Sequence, residues 1–360
     1  MNPFSKYGGV RINGHYYASD ALRAESMHSA HPAYLREVFA FAAKLFDRNE
    51  TAEVSTSGST GVPKKMRFPK SAFDLSAAST NSFFGITRNS RLLLALPMRY
   101  IAGKMMVARA AAAGCELTVA APSSSPFSGK PDGYAASFDF VPLTPHQADR
   151  CADDTPKAIS QVGTVLIGGG QVSDELRKKL MRCGVNAYAS FGMTETLSHF
   201  AVAKITAEGD LLFKPLPGVE VKTDRTGKLR VKRNGITRGR LETNDLAELS
   251  GEGFYWKGRA DNLINSGGIK VIPEQVEKSV AHLLQMPYFV AGIPHEKLGE
   301  EVALFIEAEG LPAADLLGEV QHALADTPFW QPRKLIPVSR FLYTDTGKIM
   351  RKATAERSLA

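Results

Sequence analysis

Thr164-Val-Leu-Ile-Gly-Gly-Gly-Gln-Val-Ser173 is a short apolar run that stops at three glycines and resumes at a hydroxyl residue. Such a run reads as a buried strand, the glycines as a tight turn, and Ser173 as the N-cap of a helix. The same beat surrounds it. Arg91 to Pro97 is a strand ended by proline, Ile101 to Gly114 an alanine-rich helix stopped by glycine, and Glu116 to Ala121 a second strand. A strand near Phe138 to Val141 precedes a helix opened by Thr144-Pro145, and Asn186 to Ser190 is a further strand. Strands alternating with helices predict a mainly parallel sheet covered on both faces. In such a sheet the carboxyl end of each strand, where Gly168, Gly169 and Gly170 lie, is the ligand edge, although a plain strand–helix turn would leave the same trace.

The flanks differ in style. Ahead of this block, Tyr7 to Tyr17 is extended, Pro32 to Asp47 has helical spacing, and Phe73 to Phe84 reads as a helix. From Leu211 short alternating strands (Val219 to Thr223, Lys228 to Lys232, Asp245 to Leu249, Phe254 to Lys257) predict a small antiparallel, barrel-like sheet. Beyond Arg259 come a helix at Pro273 to Leu284, strands at Tyr288 to Ile293 and Glu301 to Glu307, a helix at Ala313 to Ala325 and a terminal hairpin. The expected class is α/β, with a large N-terminal domain over residues 1–260 and a small mobile α+β domain over 261–360.

Composition narrows the function. The 360 residues are 44% hydrophobic and 22% charged, which is globular rather than disordered. A net charge of +7 and a pI near 9.2 suit a polyanionic partner, yet the basic residues are dispersed, so a nucleotide or coenzyme explains them as well as nucleic acid does. Cys115, Cys151 and Cys183 are odd in number and far apart, which argues against a disulfide framework or zinc site and for a reducing cytoplasm. No apolar leader or membrane span is read, since Arg99, Lys104 and Arg109 break the most apolar region.

The stretch Val54-Ser-Thr-Ser-Gly-Ser-Thr-Gly-Val-Pro-Lys-Lys65 lies between two strand-like pieces, Ala52 to Val54 and Met66 to Phe68. Its hydroxyls (Thr56, Ser57, Ser59, Thr60) suit oxyanions, Gly58 and Gly61 permit close backbone approach, and Lys64 adds charge. The same composition also serves as a linker, and the spacing is not that of P-loop NTPases. Tyr188-Ala-Ser-Phe-Gly-Met-Thr-Glu195 again ends a strand, with Thr194 and Glu195 suited to a phosphate and its hard cation. Thr243-Asn-Asp245 and Gly258-Arg-Ala-Asp261 place an acid and an arginine a hairpin apart, fit for ribose hydroxyls or for a surface ion pair. Tyr343-Thr-Asp-Thr-Gly-Lys-Ile-Met-Arg351 presents Lys348 on a turn.

In that order these stretches resemble the adenylate-forming superfamily of acyl-CoA synthetases, luciferases and nonribosomal adenylation domains, over Val54 to Arg351. The resemblance implies ATP, magnesium and coenzyme A as cofactor and co-substrates, and a small carboxylic acid as substrate. It makes Thr56 to Lys64 the triphosphate loop, and Gly168 to Gly170 the wall of the adenine and acyl pockets. Ser190, Phe191, Gly192, Met193 and Thr194 would hold adenine and phosphate, with Glu195 on magnesium. Asp245 and Arg259 become ribose contacts, Asp261 a hinge, Lys348 the catalytic lysine, and Ser266, Gly267 and Gly268 a tunnel for pantetheine. Two departures are a short segment ahead of the triphosphate loop and Tyr100 where many relatives have a histidine or aromatic gate. Asn244 also replaces the usual glycine before the ribose aspartate.

The short N-terminus together with Leu96 to Ala110 and Gly192 to Val202 looks most like the compact o-succinylbenzoate-CoA ligases of menaquinone biosynthesis. That substrate keeps one carboxylate unactivated, and Arg99, Tyr100, Lys104, Ser198 and His199 are the expected pocket residues. A ligase for another aryl or short-chain acid, a carrier-loading adenylation domain, and a non-enzymatic nucleotide-binding module are the alternatives. The oligomeric state, a homo-oligomer included, stays open.

Overall fold

The computed structural model describes residues 2–55, 65–310, 315–344 and 348–359. Among them the strands are, in chain order, β1 (Gly9–Ile12), β2 (His15–Ala18), β3 (Thr51–Ser55), β4 (Lys65–Pro69), β5 (Arg91–Leu94), β6 (Glu116–Val119), β7 (Phe140–Leu143), β8 (Thr164–Ile167), β9 (Ala187–Met193) and β10 (Ser198–Lys204). They continue as β11 (Leu212–Pro215), β12 (Val219–Thr223), β13 (Lys228–Arg233), β14 (Leu241–Ser250), β15 (Gly253–Arg259), β16 (Ile264–Ser266), β17 (Ile269–Val271), β18 (Tyr288–His295), β19 (Gly299–Glu307) and β20 (Lys334–Val338).

The middle of the large sheet is parallel, in the order β9-β8-β7-β5-β6-β1. Its strands are apolar on both faces because helices cover both. Leu92 and Leu94 point into one core with helices Ala33–Phe46, Lys70–Phe84 and Ile101–Ala113, while Leu93 points into the other with Pro145–Asp154 and Asp174–Arg182. Helix Pro145–Asp154 starts with a full capping box: Thr144 Oγ1 accepts from Gln147 N, and Gln147 Oε1 accepts from Thr144 N. This satisfies backbone donors that would otherwise be buried without partners.

The strands from β10 to β15 are antiparallel; those after Leu211 follow the expected alternating style, whereas β10 is a continuous buried run outside the strands expected from the sequence. They also extend the parallel sheet, since β11 pairs with β10 on one side and β15 on the other, giving a sheet of 13 strands. Strands β3 and β4, the two strand-like pieces around the hydroxyl stretch, stand apart as an antiparallel pair, in register from Thr51↔Pro69 to Ser55↔Lys65.

Strands β16 to β20 form a second, smaller sheet with its own cores, including the stacked rings of Phe289 and Phe305 at 4.7 Å. Two elements here differ from the expectation. Strand β20 runs parallel to β19, and Pro337 and its short length hid it. Among the described residues the terminal hairpin reduces to the bridge Tyr343↔Ile349, followed by helix Arg351–Leu359, which buries only Thr354 and Ala355 and so has almost no apolar stripe to read.

Candidate active site

The glycine turn after β8 meets the end of β9. A Cβ on Gly168 would lie 2.3 Å from Ser190 Oγ, which donates to Ile167 O at 3.0 Å. Gly192 is held as tightly, since a Cβ there would sit 2.4 Å from His199 Cα on the neighbouring strand β10. Glycine is required at Gly192 because backbone approaches backbone there, whereas at Gly168 a side chain would displace the Ser190 hydroxyl. Gly169 and Gly170 are exposed at the same edge. Phe191 points inward, in edge contact with Phe200, Phe213 and Phe254, so its ring belongs to the core.

After Met193 the chain makes one 3₁₀ turn, Thr194–Thr196. Thr196 is fully buried and locks it: its hydroxyl takes a bond from Met193 N and lies 2.9 Å from Met193 O and 2.8 Å from Ser198 O. Glu195 is exposed on this turn and forms no hydrogen bond or ion pair among the described residues. Magnesium asks for one or two protein carboxylates and takes its other ligands from phosphates and water. A lone free carboxylate beside Thr194 fits that demand, and among the described residues no cluster of three metal-binding side chains exists.

Strands β14 and β15 pair Asp245 directly with Arg259. Asp245 is 8% exposed, accepts from Trp256 Nε1 at 3.0 Å, and lies 3.7 Å from Arg259 Nη1. Burial raises its pKa, against the lowering effect of Arg259 and Trp256. Arg259 makes its stronger, forked contact with Asp261, at 2.9 and 2.7 Å, so the expected hinge residue is tied to an expected ribose contact. Asn244 reaches the same carboxylate at 3.5 Å.

Lys348 belongs to this group. The residue is exposed, yet its ammonium is crowded: desolvation and then Arg259 lower its pKa, and Asp245 opposes them. Its loop is closed by Thr344 N donating to Lys348 O at 2.8 Å and Lys348 N donating to Thr344 Oγ1 at 3.1 Å. Arg351, three residues on, forks onto Glu277, with Nη2 at 2.8 Å from Oε2.

Other expected residues lie elsewhere. Ser266 to Gly268 form the tip of the β16–β17 hairpin, where Gly267 and Gly268 take φ of 60° and 86° and Gly267 N donates to Leu298 O. Arg99 and Tyr100 stack on each other at 4.7 Å, and the Lys104 ammonium lies 5.9 Å from the Phe41 ring. The basic side chain that reaches Ser198 and His199 is Arg109, from the middle of helix Ile101–Ala113. In sequence Arg109 is only a break in an apolar run, and its one signal is an arginine inside a stretch of alanine and methionine. Arg233 and Trp256 carry no local signal of a role here. The positions Thr56 to Lys64 lie outside the described residues.

A family model described as AMP-binding enzyme matches residues 52–239. The 2-succinylbenzoate–CoA ligase of Staphylococcus epidermidis strain RP62A is 25% identical over 338 residues, covering 84% of this chain and 69% of that protein. The Escherichia coli K12 enzyme of the same name is 28% identical over 316 residues, covering 84% and 67%. Among solved structures, an acyl-CoA synthetase (AMP-forming)/AMP-acid ligase II-like protein from Dyadobacter fermentans is 30% identical, covers 92% of this chain and 97% of its own, and has a TM-score of 0.62. The o-succinylbenzoate coenzyme A synthetase of Bacillus subtilis, in complex with ATP and magnesium ion, shares the fold at a TM-score of 0.79 and 19% identity, covering 98% of this chain and 99% of that one. The match takes in the hydroxyl loop, the triple glycine and the Thr194–Glu195 turn, and the chain belongs to the AMP-binding enzyme family.

Proposed function

We propose that the protein is an AMP-forming acid–CoA ligase that activates o-succinylbenzoate and passes it to coenzyme A, a step of menaquinone biosynthesis in the cytoplasm. The observation that carries this reading is that the Lys348 ammonium lies in the field of the Asp245–Arg259 pair, Arg259 lowering its pKa and Asp245 raising it. A lysine of the C-terminal part of the chain is thereby coupled to residues of the large sheet, where charge would develop on an α-phosphate. The substrate follows from the relatives named 2-succinylbenzoate–CoA ligase.

The chemistry asks little of a general base, since the substrate acid is already ionised. Its oxygen attacks the α-phosphorus, pyrophosphate leaves, and an acyl-adenylate remains. Lys348 offsets the negative charge shared by the carboxylate and the α-phosphate in the transition state. Asp245 and Arg259 fix the ribose, Gly168, Ser190 and Gly192 let the adenosine lie against the backbone, and Thr194 holds a phosphate oxygen. Magnesium bound at Glu195 would supply charge for the departing pyrophosphate. Thr56 to Lys64 are assigned to its β- and γ-phosphates.

For thioester formation, residues 261–360 act as a lid turning about Asp261. This withdraws Lys348 and brings Ser266, Gly267 and Gly268 to the adenylate, past which the thiol enters. The fork between Arg259 and Asp261, the bond of Gln275 to Lys257 O and the ion pair of Lys278 with Asp210 are among the contacts that such a turn must exchange.

Pyrophosphate release over a panel of acids, each with and without coenzyme A, tests the assignment. Release with o-succinylbenzoate and formation of its thioester are expected. Silence with that acid would sink the substrate assignment, and turnover only with a carrier-protein thiol would favour the carrier-loading alternative.

A further inference from the structure

The pair β18–β19 closes through Glu296, Lys297 and Leu298. Asparagine or aspartate ordinarily stabilises such a turn by accepting from the backbone two residues on. Here His295 does so: its Nδ1 takes bonds from Lys297 N and Leu298 N, each at 3.2 Å. Both donors are backbone N–H groups, so Nδ1 is the acceptor and the ring proton sits on Nε2, which lies 4.0 Å from Glu301 Oε2.

What this turn holds is the β16–β17 hairpin. Leu298, pinned at its amide by His295, takes the Gly267 N–H on its carbonyl at 2.9 Å. Its Cδ2 lies 3.1 Å from where a Cβ on Gly267 would stand, and Gly267 has a φ of 60°, so the tip is fitted closely onto that leucine. Asn265 N donates to Glu300 Oε2 at 2.7 Å, a second tie between the same two segments. Among the described residues the ladder between β16 and β19 is the pair Ser266↔Gly299. Gly267 and Gly268 are exposed, so the tip is placed by the turn it rests on and not by a core of its own.

We propose that His295 is a positioning residue for thioester formation: by fixing Leu298 it sets where the Ser266–Gly268 tip stands, and so the opening past which the thiol reaches the acyl-adenylate. It acts through Leu298 and not on the reacting atoms, and the proposal rests on the acid–CoA ligase reading with its turning lid. A cap with only local effect would change the stability of the small sheet and nothing else; the Leu298–Gly267 bond is what carries its effect to the tip. Adenylation depends on Lys348, whose loop is closed by its own bonds with Thr344, so the two half-reactions should separate.

The test assays wild type, His295→Phe and His295→Asn in two halves: adenylation, by pyrophosphate release from acid and ATP, and thioester formation from supplied acyl-adenylate over a range of coenzyme A concentrations. Phenylalanine keeps a ring and removes the acceptor, whereas asparagine places Oδ1 as many bonds from Cα as Nδ1 and can accept from the same two amides. His295→Phe should lose roughly 10-fold in kcat/KM for coenzyme A with adenylation retained, and His295→Asn should recover most of the loss. Hydrogen exchange of the Gly267 amide should quicken in His295→Phe and return toward the wild-type rate in His295→Asn. Equal losses in both halves would overturn the proposal, because general loosening of the small sheet disturbs Lys348 as well. So would a thioester step that His295→Phe leaves untouched, or an asparagine variant as slow as the phenylalanine one. If His295→Phe does not fold, His295→Gln, whose acceptor lies one carbon farther out, takes its place. If no acid releases pyrophosphate, the ligase reading falls separately; quicker hydrogen exchange at Gly267 in His295→Phe then upholds the tether, and an unchanged rate overturns it.

Discussion

Asp245 has one strong donor, Trp256, and a looser partner in Arg259, so one carboxylate oxygen stays open toward the site. A carboxylate accepting from ribose hydroxyls is worth about 1.5–3 kcal/mol when lost. Asp245→Ala is therefore expected to lower kcat/KM for ATP by roughly 10-fold to 100-fold, measured by pyrophosphate release, with a smaller loss for Trp256→Phe. A structural counterpart lies at Lys70, 0% exposed, whose ammonium meets Asp47 Oδ1 at 2.6 Å and Asp47 O at 2.8 Å. Partial burial alone would raise the pKa of Asp47, but the bonds from Lys70 and Asn49 outweigh it and hold the carboxyl below its ordinary value. The stability this gives is fully present above the unfolded carboxylate pKa of about 4 and is lost as pH falls through the lower folded value. Asp47→Asn should cost about 1–3 kcal/mol at neutral pH, discounted because Asp47 is partly in water. It should also flatten the fall in melting temperature at acid pH, and an unchanged acid profile would remove Asp47 from the account.

Most elements that carry the site were legible because their local chemistry was simple. The apolar run ending at Ile167, the Thr144-Pro145 cap and the glycine after Ala113 each announce a boundary through one physical cause, and those boundaries appear where the pattern puts them, whereas the strand expected to end at Ser190 runs on to Met193. What stayed hidden depends on tertiary contact. Helix Arg351–Leu359 has little apolar surface and is anchored instead by Arg351 on Glu277, a pair separated by 74 positions. Burial raises the pKa of Glu277 against the pull of Arg351, so removing the arginine leaves an expensive carboxylate inside. Arg351→Met is expected to cost about 3–5 kcal/mol locally, seen as faster hydrogen exchange across Arg351–Leu359. Adenylation should slow with it, because the Lys348 loop is tethered at that point. Normal exchange in the variant would show that the fork does not hold the helix.

At the scale of the whole molecule, alternating strands and helices gave away a parallel sheet, whereas its continuation into antiparallel strands turns on β11 having two partners, which no local pattern records. The site follows the same division. Gly168, Ser190, Gly192 and Glu195 sit at the ends of neighbouring strands, as sheet topology requires. Arg109 and Arg233 reach the same region from a helix and from a strand of the antiparallel half, and only the folded chain unites them. Lys348 is the sharpest case: a lysine on a turn is ordinarily a solvated surface group, and its neighbours Asp245 and Arg259 are about a hundred residues away in sequence. The central claim is that this lysine stabilises adenylate formation and not the later attack of the thiol. The direct measurement is Lys348→Ala assayed in two halves, pyrophosphate exchange with acid and ATP, and thioester formation from a supplied acyl-adenylate. The account predicts a loss on the order of 100-fold or more in the first half with the second retained. Normal adenylate formation combined with a failing thioester step would contradict it.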